Sequence, residues 1–104
     1  PSYAELEVVS GDTTIVVIDR PSPSWALGAL RNSGVDRIDV LISRSAGVLS
    51  AEAVRVIRAR IDVGEVWAPS RLRGQPTVVI DDLVEFDSIS VRRVDQRLVV
   101  ELPG

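Results

Sequence analysis

Residues 15–18, Ile-Val-Val-Ile, are apolar at four consecutive positions, and Val40-Leu41-Ile42 repeat the pattern shortly after Ile38. A strand turns successive side chains to opposite faces, so such runs need apolar cover on both sides. With 104 residues, 45% of them hydrophobic, the chain has material for one modest core. These runs therefore predict central strands of a single domain spanning residues 1–104, flanked by elements that shield each face. Only 4% of the residues are aromatic, so that core is aliphatic.

The surrounding segments supply the cover. Residues 4–9 and 13–19 read as two strands joined through Ser10-Gly11-Asp12, with Glu5 and Glu7 alternating against Leu6 and Val8. Ser22 and Pro23 fit the start of a helix over 23–32, with Trp25, Leu27, Leu30 and the neighbouring alanines on its apolar side and Gly34 beyond its end. A strand at 37–43 leads through a small-residue loop to Ser50, read as the cap of a second helix over 51–61. There Ala53, Val54, Ile57 and Ile61 repeat at helical spacing. Strands follow at 65–68, 77–80, 83–86, 89–94 and 97–102, the last four separated by Asp-containing turns. The order ββαβαβ followed by a β-meander predicts an α/β fold. It is a mixed sheet of six to eight strands, with both crossovers right-handed and both helices on one face.

Composition removes several kinds of chemistry. With no Cys there is no disulfide, thiol nucleophile or thiolate metal site, and with no His the commonest general base and transition-metal ligand are missing. All 12 basic residues are Arg, which excludes Schiff-base chemistry through lysine. The net charge of −3 argues against nonspecific nucleic-acid binding as the main role, while leaving room for a local basic patch. No run approaches the ~20 apolar residues of a membrane span and no signal-peptide pattern is present, so the sequence predicts a soluble chain. With Pro at position 1 and no Met, the chain is expected either to have lost an initiator or to derive from a longer protein.

The remaining candidates each have a plainer structural reading. Asp19 and Asp39 are the pair for a carboxylate-based enzyme, but each also suits a turn or an Arg ion pair. Asp81-Asp82 offers a hard cation two oxygen-bearing side chains, fewer than such an ion wants. Ser43, Ser45 and Ser50 surround the loop at the end of the third strand, yet a serine nucleophile needs a base that this chain lacks. Gly47 is a lone glycine rather than a phosphate-cradling motif. Arg44, Arg55, Arg58, Arg71 and Arg73 are the candidate anion or nucleic-acid contacts. The plainer reading makes them a solvated face, with Glu52–Arg55 and Arg58–Asp62 pairs. Both tryptophans read as packing groups.

The order of these pieces resembles the metallo-β-lactamase fold, and within it the soluble carboxyl-terminal domain of ComEC-type competence proteins, the membrane channels for DNA uptake. The segments that carry the resemblance are VVSGDTTIVVIDRP (8–21), LRNSGVDRIDVLISRS (30–45) and VGEVWAPS (63–70). Family members show a "GQGDA"-like turn, a strand ending "LIDGG", and "LRxxGIRRLDxLVLTH" running into an HxHxDH zinc motif. The resemblance implies that Ser45 and Gly47 stand in place of the first two histidines, and Leu49 and Ser50 in place of the aspartate and third histidine. Every ligand of that motif is replaced. What it implies is half of the family fold with its metal loop emptied: no cofactor, no metal, and a noncatalytic interaction or scaffolding module. Its setting would be the outer face of the cytoplasmic membrane, with no membrane insertion by this chain itself. A nucleic-acid-binding module using the Arg-rich surface is the alternative from a different class. Self-association is expected if the meander leaves one sheet face open, with residues 97–102 as the exposed edge.

Overall fold

The apolar runs dictate the layering. In the computed structural model, which describes residues 2–3 and 5–102, the elements are β1 (Ser2–Tyr3), β2 (Leu6–Ser10), β3 (Thr14–Ile18), α1 (Pro23–Asn32) and β4 (Arg37–Ser43). They continue with α2 (Val48–Arg60), β5 (Asp62–Ala68), β6 (Val78–Val79), β7 (Leu83–Phe86), β8 (Ile89–Val94) and β9 (Arg97–Glu101). Ala4, the first residue of the expected strand 4–9, lies outside the described residues, as do the ends of the 1–104 domain. Strands β1 to β6 form one mixed sheet in sequential order, antiparallel through β3 and parallel from β3 to β6. Of the expected four-strand meander, only the first strand, β6, joins that sheet; the other three form a separate antiparallel sheet, β7-β8-β9.

Alternation along β3 divides the core in two. Val16 and Ile18 point into a cluster with Ala26, Ala29 and Leu30 of α1 and Ala53, Val54 and Ile57 of α2, so both helices cover one face. Ile15 and Val17 point the other way, into a cluster with Val40, Ile42 and Trp67 of the large sheet and Ile89, Val91 and Leu98 of the small one. The last three strands thus cover the face opposite the helices, so the condition attached to self-association through an open sheet face is not met. Strand β9 is an edge of its sheet, but so is β7, and β1 and β6 bound the larger one.

Several local expectations need correction. Trp25 is 40% exposed, while the rest of the expected apolar side of α1 is buried: Ala26, Ala29 and Leu30, with Leu27 packed against them. The two tryptophans differ in this: Trp67 is buried and meets Phe86 edge-to-face at 5.8 Å. Helix α2 begins at Val48 with Gly47 at its N-cap, so Ser50 lies inside the first turn and does not cap it. Strand β5 starts three residues early, at Asp62, while β6 is only Val78–Val79; Ile80 leaves the strand to bury itself against Trp67.

Two glycines carry specific loads. Gly34 adopts φ +74° after α1, where its N–H reaches Arg31 O and the next N–H, of Val35, reaches Leu30 O; this paired ending suits a residue without a Cβ. At Gly64 the reason is proximity: a Cβ there would lie 2.6 Å from the Asp39 carbonyl oxygen of β4. The same place marks an odd step in both strands. Ile38 and Leu41 share the helix-side cluster, as do Val63 and Val66, while the β4–β5 register is constant from Arg37–Asp62 to Ile42–Trp67. Because backbone cannot yield as a flexible side chain does, Gly64→Ala is expected to destabilise the domain by about 1–3 kcal/mol. Denaturant unfolding checks this, and an unchanged midpoint would show that the strands separate freely at this point.

Candidate functional site

In a parallel sheet, the carboxyl ends of the strands are where loops gather side chains around an opening. Here β3 ends at Ile18, β4 at Ser43 and β5 at Ala68, and the β4–α2 loop lies among them. Its hydroxyl groups are turned on one another. The Ser43 hydroxyl donates to Ser45 O at 2.6 Å, and the Ser45 and Ser50 hydroxyls share a hydrogen bond at 2.9 Å. Ser43 and Ser50 are fully buried. A buried hydroxyl without a partner costs about 1–3 kcal/mol, so these bonds hold the loop to the first turn of α2.

The meander closes the opposite wall of the opening. Leu98 N–H donates to Arg44 O at 2.9 Å, and Arg93 Nη1 donates to Pro69 O at 2.7 Å, tying the β8–β9 hairpin to the ends of β4 and β5. The hairpin turns tightly at Asp95, with φ +56°. Between the hairpin and the loops lies an open cleft of about 580 Å³, walled by Arg20, Ser45, Gly47, Pro69, Arg93 and Arg97 among others. Three guanidinium groups line it and no carboxylate does. Arg93 also donates from Nε to Asp95 O at 2.8 Å, so carbonyl groups alone orient its side chain. Arg97 is steadied by Asp19, with Nη2 2.7 Å from Oδ2, and Arg20 Nε lies 3.7 Å from Asp19 Oδ1.

The candidate arginines of the sequence do not assemble. Arg44 turns toward β2, where Nη2 meets Glu7 Oε1 at 3.1 Å. Its Nε and Asp19 Oδ1 are buried atoms without a hydrogen-bond partner among the described residues, and both residues border the same small recess. Arg55 and Arg73 share a shallow groove beside α2, and Arg58 lines a different one with Glu65 and Thr77. The Arg55–Glu52 pair forms, lowering the Glu52 carboxyl and raising the Arg55 guanidinium through their mutual hydrogen bond. Among the described residues no Arg58–Asp62 ion pair accompanies it. Arg71 is exposed on the loop after β5.

Nor do the carboxylates converge. Asp39 accepts a 2.7 Å hydrogen bond from Thr14 N–H, at the start of β3, and faces Arg37 at 3.5 Å. Asp19 follows the other end of β3, five residues on, about 16 Å away along an extended chain. They share no pocket. Asp81 and Asp82 are exposed, and among the described residues no group of three His, Cys, Asp or Glu side chains comes together. What sequence reasoning missed is the Arg20, Arg93 and Arg97 set. The available signal was the placement of Arg93 and Arg97 on either side of the Asp95-Gln96 turn.

Asp39 accordingly has a structural task, holding the start of β3 against β4. Asp39→Ala is expected to cost about 1–3 kcal/mol by stranding the Thr14 N–H, whereas Asp39→Asn keeps an acceptor and loses less. Urea unfolding of both variants checks this ordering, and equal losses would contradict it. Comparison with protein-family models, with curated proteins and with solved structures found no match to this chain.

Proposed function

We propose that this chain is a noncatalytic binding module, built on half of a metallo-β-lactamase-like frame with its metal loop converted to structural use. The observation that carries the reading is the β4–α2 loop. The positions at which the resemblance puts metal ligands hold Ser45, Gly47, Leu49 and Ser50, and the two hydroxyls among them bond each other. A site that activates water needs a base or a Lewis acid. This loop offers neither carboxylate nor imidazole, and the two carboxylates that the sequence offers as a catalytic pair, Asp19 and Asp39, are split between the two ends of β3.

The resemblance extends the reading to a soluble domain of a competence-type membrane protein, on the outer face of the cytoplasmic membrane, acting through protein contacts or scaffolding. No described helix is long and apolar enough to cross a membrane. The reading frame of the parent gene tests this extension: neighbouring segments of ~20 apolar residues support it, and a frame without them contradicts it. A nucleic-acid module is the second reading, favoured by the shared groove of Arg55 and Arg73. Its signature is affinity that falls steeply with salt, since phosphate contacts release counterions.

For the noncatalytic reading, calorimetric titration with zinc at neutral pH is expected to give no saturable heat. Ser45→Ala is expected to lower stability by about 1–3 kcal/mol by leaving Ser50 unpaired. Stoichiometric zinc binding, or a Ser45→Ala variant as stable as the parent, would overturn the structural role of this loop.

A further inference from the structure

We propose that the cleft at the carboxyl ends of β3, β4 and β5 binds a phosphate group, held by Arg20, Arg93 and Arg97. The inference rests on the noncatalytic binding reading and names the ligand chemistry of that module. Its basis is charge placed against the trend of the whole molecule. A chain of net charge −3 puts three guanidinium groups, from the turn after β3 and from the β8–β9 hairpin, on one cleft; one carboxylate, Asp19, stands behind Arg97 and Arg20, which leaves an excess of positive charge. Like charges facing one another across an opening repel, and an oxyanion between them removes that repulsion.

The three arginines are held by different means. Arg93 is fixed through Nε and Nη1 by the carbonyls of Asp95 and Pro69, which orient the guanidinium without neutralising it. Two of its five N–H groups are used, and the planar fork suits a tetrahedral oxyanion. Arg97 spends one bond on Asp19. Asp19 acts as a positioning residue for Arg97 and Arg20. The wall also includes Gly47, the N-cap of α2, a helix with no acidic residue in its first turn and no side-chain cap. That end adds a favourable potential to the guanidinium groups but does not make the site.

The chemistry favours a phosphomonoester or free phosphate over a diester, because a second negative charge gains more from three cations. It also gives the site a distinctive pH response. The chain has no His, so between about pH 5 and pH 8 the ligand's second ionisation, near 6 for a phosphomonoester and about one unit higher for free phosphate, dominates. Affinity for phosphate rises with pH across that range. Affinity for sulfate, already dianionic, stays flat.

The test is titration of the isotope-labelled chain with inorganic phosphate, glycerol phosphate, sulfate and a short oligothymidylate at low ionic strength. Side-chain Nε–H signals of Arg93 and Arg97 and the Gly47 amide are followed by NMR. Saturable shifts with phosphate and glycerol phosphate, tightening with pH while sulfate does not, support the proposal. Arg20→Gln is the main variant, since Arg20 is exposed and its ion pair with Asp19, at 3.7 Å, is a loose one, so the fold survives its loss. It is expected to weaken phosphate about tenfold, the effect of 1.4 kcal/mol. Arg58→Gln, outside the cleft, leaves affinity unchanged. Absence of saturable shifts, equal losses with Arg58→Gln, or tighter binding of the oligothymidylate would overturn it. Release of phosphate from glycerol phosphate would instead contradict the noncatalytic reading while leaving the binding site in place.

Discussion

Burial of β3 and β4 on both faces is the constraint from which the rest of the molecule follows. Ile15, Val16, Val17 and Ile18 are all buried, yet consecutive residues look into different clusters. Removing one such aliphatic side chain from water contributes about 1.5–3 kcal/mol, so neither face can be left bare. Two helices suffice for one side. For the other, the chain uses the meander, which contributes Ile89, Val91 and Leu98 as a second lid. The turns of that meander take left-handed conformations at Asp87, Ser88 and Asp95, a modest local cost accepted for tight hairpins.

Closing the core this way also creates the cleft. To lay Leu98 against β3 and β4, the β8–β9 hairpin must project past the ends of the parallel strands. There Arg93 and Arg97 come to stand opposite Arg20 and the β4–α2 loop. The groups with catalytic chemistry are taken up elsewhere: Asp39 by Thr14, Asp19 by Arg97, and Ser45 by Ser50. The internally hydrogen-bonded β4–α2 loop and the cationic opening lie on the two sides of the same closure.

Local chemistry was readable from the sequence where it was also local in its cause. The ββαβαβ order, the turn at Asp87-Ser88, the α2 stripe through Ile57 and the stop at Gly34 all follow from neighbours within a few residues. Trp25 and Ser50 misled for the same reason: an aromatic next to alanines suggests burial and a serine before a helix suggests a cap, but tertiary packing chose Ala26 and Gly47. The meander's separation into its own sheet depends on which face lacks cover, a global condition. The cleft depends on it in turn. Arg97 and Asp19 are separated by 78 positions, and no periodicity connects them.

The central claim is that the meander is part of the core rather than an appendage, so that its loss exposes β3 and β4. Native-state hydrogen exchange with Leu98→Ala tests it most directly. Leu98 is buried at 2% exposure, and its truncation is expected to cost about 2–5 kcal/mol. The account predicts that the amides of Val16, Val17 and Leu41 lose protection by the same free energy as global unfolding, together with those of β8. Protection of β3 and β4 that persists while β8 and β9 open separately would contradict it.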